Sequence, residues 1–290
     1  MPDPTRRRRV AVVTGGNSGI GLETVIGLAA RGDTVVIAAR NPDRAATAVA
    51  EVRARTGAGD RVTALPLDLT SFASVRRFAE ELTATHDRCD VLVANAGLMV
   101  NERRLTEDGH EVQFQTNHLG HFLLTALLRE HLIASAPARV VVVSSGAHKV
   151  GHRSLDLDDP DWDRRRYRGF AAYAATKLMN VLFTRELARS LAGTGVTANA
   201  LHPGFVASNF AREGDYGRLG DRLVPLAHPF AVSSERGAET SLFLASSPTV
   251  DRVTGAYFFR SRERAPSRAA GSDATAARLW SLSETLTGLA

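Results

Sequence analysis

The sequence predicts a single α/β domain, a doubly wound parallel sheet with helices on both faces. Three observations predict it. The chain has 290 residues, 44% hydrophobic and 23% charged, enough apolar material for one large core. Short β-branched runs alternate regularly with longer, alanine-rich helical stretches. Most of those short runs are apolar throughout rather than alternating, as parallel strands covered on both faces require.

In chain order the expected strands are Val10–Thr14, Thr34–Ala38, Val62–Leu67, Asp90–Ala94, Arg139–Ser144 and Val196–Leu201, with a last one near Ala256–Phe259. Helical periodicity falls near residues 19–31, 42–56, 71–86, 108–135, 170–193 and 235–246. Two stretches break the rhythm. Residues 146–169 form a long polar insertion, and residues 205–234 are rich in Gly, Pro and Arg. Both follow C-terminal strand ends, where such sheets bind ligands, and both are expected to be substrate loops. No linker, repeat or low-complexity tract divides the chain, so residues 10–290 read as one domain after a basic tail, residues 1–9.

Composition narrows the function. Cys89 is the single cysteine, so neither a disulfide framework nor a multi-cysteine metal site is expected, and a reducing, cytoplasmic setting is. No apolar run reaches the ~20 residues that span a bilayer. The opening residues lack the apolar stretch of a signal peptide or anchor. The net charge is +5, but the run Arg6–Arg9 supplies four of those charges, and the rest is near neutral. There is no basic stripe with interleaved aromatics, so nucleic acid is not an expected partner. The pairs His118/His121 and His148/His152 have metal-like spacing but no carboxylate or cysteine partner, so no metal is assigned. The acidic run Asp156–Asp161 lacks the glycine and terminal glutamate of a calcium loop and reads as solvated.

The first strand runs into Thr14-Gly15-Gly16-Asn17-Ser18-Gly19-Ile20-Gly21 and then a helix. Glycines at such a turn let backbone N–H groups approach a phosphate at the helix N-terminus. The spacing is Gly-x-x-x-Gly-x-Gly, not the general Gly-x-Gly-x-x-Gly. At the end of the second strand, where an acid would bind the ribose of NAD, stands Arg40, with Arg44 one helical turn beyond. An arginine there favours the extra phosphate of NADP, although in a chain this rich in arginine any exposed position is often Arg. Asp68-Leu69 and Asn95-Ala96-Gly97 follow the third and fourth strands. Asp68 could accept from an adenine amino group, and Asn95-Ala96-Gly97 could let backbone pass close to a cofactor. Singly, each is more often a cap or turn.

Tyr173 and Lys177 stand at i and i+4 on one helix face. An ammonium beside a phenol favours the phenolate and makes tyrosine a usable proton donor near neutrality. Lys149 and Lys177 are the only lysines among 36 basic residues, so an incidental Tyr–Lys pair is less expected here than in most chains. Ser145, at the end of the fifth strand, can hydrogen-bond a carbonyl oxygen. Asn117, on the preceding helix, could hold a water linked to the lysine.

Together these motifs resemble the short-chain dehydrogenase/reductase family over nearly the whole chain. Thr14–Gly21 is similar to its Thr-Gly-x-x-x-Gly-x-Gly turn, Asn95-Ala96-Gly97 to its Asn-Ala-Gly, and Tyr173…Lys177 to its Tyr-x-x-x-Lys. The resemblance implies a Rossmann-type fold. It makes Asn117, Ser145, Tyr173 and Lys177 the catalytic tetrad, with Ser145 favoured over Ser144. It assigns the cofactor to Gly15, Asn17, Ser18, Gly19, Ile20, Gly21, Arg40, Asp68, Leu69, Asn95, Ala96, Gly97, Tyr173 and Lys177. Pro203, Gly204, Val206 and Ser208 after the sixth strand join that set. Ala94 departs from the pattern, which often has Asn there. Asn117-His118-Leu119-Gly120-His121-Phe122, Val143–His148, Leu201-His202-Pro203-Gly204 and Ala277–Trp280 are similar to the retinol dehydrogenase-like branch. Membrane-bound retinol enzymes carry an N-terminal anchor that this sequence does not show, so lipophilic carbonyls and alcohols in general are the expected substrates. The resemblance also implies a homo-oligomer, dimer or tetramer, built on long helices, one face of which the extension after Phe259 could cover.

The expected activity is hydride transfer between NADPH and an aldehyde or ketone, reversible with the alcohol, with Tyr173 as general acid/base. An NAD-dependent alcohol dehydrogenase is the alternative of the same class. A catalytically silent NADP-binding sensor is the alternative of another.

Overall fold

The computed structural model describes residues 8–204 and 232–290. Among these residues one sheet contains β1 (Val10–Thr14), β2 (Thr34–Ala39), β3 (Val62–Pro66), β4 (Val91–Ala94), β5 (Ala138–Val143), β6 (Val196–His202), β7 (Tyr257–Phe259) and β8 (Arg262–Glu263). Their order is β3-β2-β1-β4-β5-β6-β7-β8. Every pairing is parallel except β7 with β8. The order reverses between β1 and β4, where Val12 pairs with Val36 on one side and Leu92 on the other. At such a reversal the connections leave in opposite directions and open a crevice at the carboxyl ends of the strands.

The apolar runs follow from the two-sided cover. Ala11, Val13, Ile37, Val93 and Val141 pack under α1 (Gly19–Ala30) and α2 (Pro42–Thr56). Val12, Val36, Leu92, Val140 and Val142 face the other way, beneath α3 (Phe72–Thr85) and the helices that follow β4 and β5. Phe78, Phe114 and Phe122 are fully buried, and truncating such a side chain to alanine costs about 3–5 kcal/mol. Asn41 caps α2 by accepting from Arg44 N at 2.9 Å, and Gly57 ends that helix at φ +65°, the left-handed conformation that glycine tolerates.

The expected helix over residues 108–135 is instead four pieces. It starts at α4 (Val112–Phe114), because the buried Glu111 carboxylate accepts from Gln113 N and Phe114 N at 3.0 and 2.8 Å and caps it. A π-helical turn, Gln115–Leu119, follows, then α5 (Gly120–Leu127) and α6 (Arg129–Ala134). The break between the last two is Leu128, at φ −89° and ψ 1°. The insertion 146–169 is also partly ordered. It holds α7 (His148–Gly151), packed so closely on α8 (Gly169–Ser190) that a Cβ on Gly151 would stand 2.3 Å from Ala174 O. The acidic run is not all solvated either: Asp159 is buried and pairs with Arg165 at 3.2 Å.

The basic tail ends earlier than residue 9. Arg9 pairs with Asp33 at 2.7 Å and donates to Ala245 O at 2.8 Å, tying β1 to α9 (Ser234–Ser246). After β8, α10 (Asp273–Thr287) packs its Leu279 with Leu178 and Leu182 of α8. The extension after Phe259 is therefore part of the core. Among the described residues no helix is long and apolar enough to cross a membrane. Most of the expected loop 205–234 lies outside the described residues, as do Val206, Ser208 and residues 1–7 of the tail.

Candidate active site

β1 delivers the chain into the glycine turn. Gly15 and Gly19 adopt φ +65° and +53°, values that strain any side chain with a Cβ. A Cβ on Gly21 would stand 2.2 Å from Gly15 O, so the turn closes on its own backbone. Ser18, in extended conformation, precedes α1, whose first turn holds no acidic residue. The N–H groups and positive end of that helix are thus left for an anion, and Asn17 and Ile20 lie within the same turn. Thr14 and Asn95 stitch the two sides of the crevice together. Thr14 Oγ1 accepts from Asn95 N and Ala96 N at 2.9 Å each, and Asn95 Nδ2 donates to Thr14 O at 2.8 Å.

The neighbouring strand ends differ in kind. Arg40, just past β2, and Arg44 are both exposed. Asp68, past β3, commits Oδ1 to Thr70, accepting from its N–H at 2.9 Å and its hydroxyl at 2.7 Å. Leu69 is buried, with its carbonyl 2.8 Å from where a Cβ on Gly120 would sit. That packing of the β3 end on α5 is a role the sequence does not announce.

Asn117, Lys177 and Tyr173 then come together. Asn117 lies in the π-helical turn, where its amide clamps the backbone of Leu98: Oδ1 accepts from Leu98 N at 2.8 Å and Nδ2 donates to Leu98 O at 2.9 Å. A second branch of Nδ2 reaches Thr176 Oγ1 on α8 at 3.1 Å. Such turns offset side chains from ordinary helical phase and recur at functional sites. Lys177 is buried, donates from Nζ to Val143 O at 3.2 Å, and holds that ammonium 5.5 Å from the centre of the Tyr173 ring. Burial lowers its pKa from 10.5 to about 8. Ser144 is committed to the protein, donating from Oγ to Lys177 O at 2.7 Å. Ser145 is half-buried and its Oγ accepts from Ala147 N at 3.2 Å, which leaves its own proton to donate.

The convergence point is Gly97. A Cβ there would stand 3.1 Å from Asn117 Oδ1 and 3.2 Å from Lys177 Nζ. Gly97→Ala is therefore expected to displace the lysine and lower kcat about tenfold with little change in Tm, checked by steady-state kinetics beside thermal melting. Pro203 and Gly204 (φ +100°) close the described part of this face after β6, where Gly204 N donates to His202 Nδ1 at 3.3 Å.

Asn180 was not singled out from sequence. Asn180 shares the Val143 carbonyl with Lys177, donating at 3.3 Å; its i+3 spacing from Lys177 was the available signal. His118 and His121 are buried, and desolvation pushes their pKa values down to about 3 and about 4. They are neutral core residues. Buried Cys89, its thiol pKa pushed up to about 12 by desolvation, is inert.

A strand-turn-helix phosphate cradle with a Tyr–Lys pair beside a serine suits a dinucleotide and a carbonyl. Comparison with known proteins agrees. Residues 9–156 and 163–216 match the sequence model of the short chain dehydrogenase family. The chain is 42% identical to human retinol dehydrogenase 13 over 284 residues, 97% of this chain and 85% of that one. It is 43% identical to human retinol dehydrogenase 12 over 281 residues, 97% and 87% of the two chains. Among solved structures, an uncharacterised protein from Mycobacterium paratuberculosis superposes with a TM-score of 0.77 at 39% identity, covering 97% of this chain and 93% of that one. The Pseudomonas aeruginosa RhlG/NADP active-site complex superposes with a TM-score of 0.69 at 27% identity, covering 89% and 96%. The chain belongs to the short-chain dehydrogenase family and is an oxidoreductase of CH–OH and C=O groups.

Proposed function

We propose that this protein reduces aldehydes or ketones with NADPH, and runs the reverse oxidation of the alcohol. The observation that carries the reading is the meeting of Asn117 Oδ1 and Lys177 Nζ at the bare Cα of Gly97, with Tyr173 beside the lysine. The residues present fit a nicotinamide dinucleotide. The Gly15–Gly21 turn would hold its pyrophosphate, Asn95–Gly97 would let it lie against backbone, and Lys177 and Pro203–Gly204 would meet its nicotinamide end. When bound, the cofactor supplies the hydride.

The protein's own residues do the rest. Ser145 donates its hydroxyl proton to the carbonyl oxygen and fixes it, while its Oγ accepts from Ala147 N. Tyr173 gives its phenolic proton to that oxygen as negative charge develops. The Lys177 ammonium favours the phenolate left behind. Asn117 holds the Leu98 turn against α8 and, with Lys177, supports the return of a proton.

The NADP preference rests on Arg40: exposed, at the end of β2, with no acid in its place. Human retinol dehydrogenases 12 and 13 among the relatives point to lipophilic substrates. The test is oxidation of NADPH and NADH across a panel of lipophilic aldehydes and ketones, with Arg40→Asp alongside. Turnover with NADPH and a shift towards NADH in the variant, about tenfold or more in the ratio of kcat/KM, are expected. An unshifted ratio would remove Arg40 from the cofactor site.

A further inference from the structure

The segment beyond β7 touches the back of the candidate active site at two separate points, each through a buried histidine. Ser267 N–H donates to His148 Nε2 at 3.2 Å. Because that nitrogen accepts, the ring carries its proton on Nδ1, which donates to Ser145 O at 2.7 Å. His148 N–H donates to the same oxygen at 3.1 Å. The ring is fully buried and lies 4.7 Å from that of Tyr257 on β7. The backbone of Ser145 is thus held by an imidazole whose other face is held by the C-terminal segment.

The second point is on α10. Ser283 Oγ donates to Leu279 O at 2.8 Å, so towards His118 Nε2, 2.9 Å away, it accepts. His118 is the neighbour of Asn117 in the π-helical turn. It is packed among Phe114, Phe122 and Phe183, with Trp280 of α10 closing the cluster against Phe122 at 5.0 Å.

We propose that the C-terminal segment is a working part of the active site, with Ser267 and His148 positioning Ser145 and with Ser283 and His118 positioning the turn that carries Asn117. This rests on the reaction proposed above. The four are positioning residues: none needs to touch substrate, and each acts through the backbone of the residue it holds. The physical reason is rigidity. Ser145 lies beyond the last hydrogen-bonded residue at the end of β5, and Asn117 lies in a π-helical turn whose pairing departs from that of the α-helices on either side. Small misplacement of a catalytic group is costly in rate.

Ser267 offers a test. Its φ of −62° and ψ of 154° are those of proline, and its hydroxyl has no hydrogen-bond partner. Ser267→Pro therefore keeps the φ and ψ of that residue, deletes the N–H that His148 accepts, and sets the ring Cδ where the amide hydrogen stood, so that the imidazole must give way. In the full-length protein, S267P is expected to lower kcat about tenfold, with KM and the NADPH Kd within twofold and Tm within a few degrees. S267A, which keeps the N–H, is expected to recover the rate. Hydrogen exchange should quicken over residues 144–151 and stay unchanged in α1. S283A is the second arm, with quicker exchange over residues 112–122 and a fall in kcat larger than its change in KM.

Unchanged exchange over both segments, or parental kcat in both variants, would overturn the proposal. So would a loss of rate that merely tracks a loss of Tm and of NADPH binding. The exchange measurement needs no substrate, so an inactive parent with coupled exchange would refute the proposed reaction and leave the coupling established.

Discussion

Replacing Tyr173 with Phe is expected to lower turnover at least a hundredfold while the NADPH Kd stays within twofold. The substitution removes one oxygen from the half-buried side chain and leaves α8 intact. The lost factor is that of a positioned general acid, about 10²–10⁴ in rate. Lys177 still reaches Val143 O at 3.2 Å, so the lysine is not released when the phenol goes. Single-turnover kinetics with a premixed NADPH complex would separate the chemical step from binding. Retained turnover in that experiment would remove Tyr173 from the proton path. Loss of cofactor binding in parallel would make it a structural residue of the pocket.

Lys177→Met is expected to give the opposite signs for activity and stability. Burial lowers the lysine pKa from 10.5 to about 8, so at pH 7 the fold carries a charge that it would rather not hold. A shift of this size is roughly 3 kcal/mol of destabilisation. The sign is that of a base with a depressed pKa: the unfolded chain binds the proton more tightly between pH 8 and 10.5, and stability rises with pH across that window. Below about pH 8 the cost is complete. Methionine has nearly the same length and no charge, and loses one hydrogen bond worth about 1 kcal/mol. Tm at pH 7 is therefore expected to rise by about 5 °C and the gain to fade towards pH 10.5, while kcat falls at least a hundredfold. In the parent enzyme, kcat/KM for carbonyl reduction is expected to decline above about pH 8 as Lys177 loses its proton. Melting curves and pH–rate profiles of the two proteins check all of this. A variant less stable at pH 7 than at pH 10 relative to the parent would show that the lysine is neutral or paired in the fold.

The residues of the candidate site were legible in the sequence wherever their grouping is short-range. The glycine turn is a run of contiguous letters because one backbone must bend within eight residues. Tyr173 and Lys177 are readable because a helix brings i and i+4 together whatever surrounds it. The strands β1 to β7 were legible to within a residue or two because two-sided burial demands continuous apolar runs, whereas the exposed two-residue β8 was not expected. The region 108–135 was not. Its break at Leu128 and its π-helical turn leave an apolar periodicity that a single helix would also show, and Glu111 caps it only because tertiary packing buries that carboxylate. Arg9 was read with the basic run beside it, since nothing local marks Asp33 and Ala245 as its partners.

What the amino-acid sequence determined by itself is therefore the doubly wound sheet and the identity of the residues at its strand ends. Local periodicity and local backbone geometry are sufficient for both. Only the tertiary structure decided that Ser144 serves α8 and Ser145 does not, that Asn117 and Lys177 meet at Gly97, and that the chain beyond Phe259 returns to brace them. Those outcomes depend on hydrogen bonds between residues 33 to 165 positions apart. The closure of such contacts is set by how whole elements pack, and no window of sequence contains it.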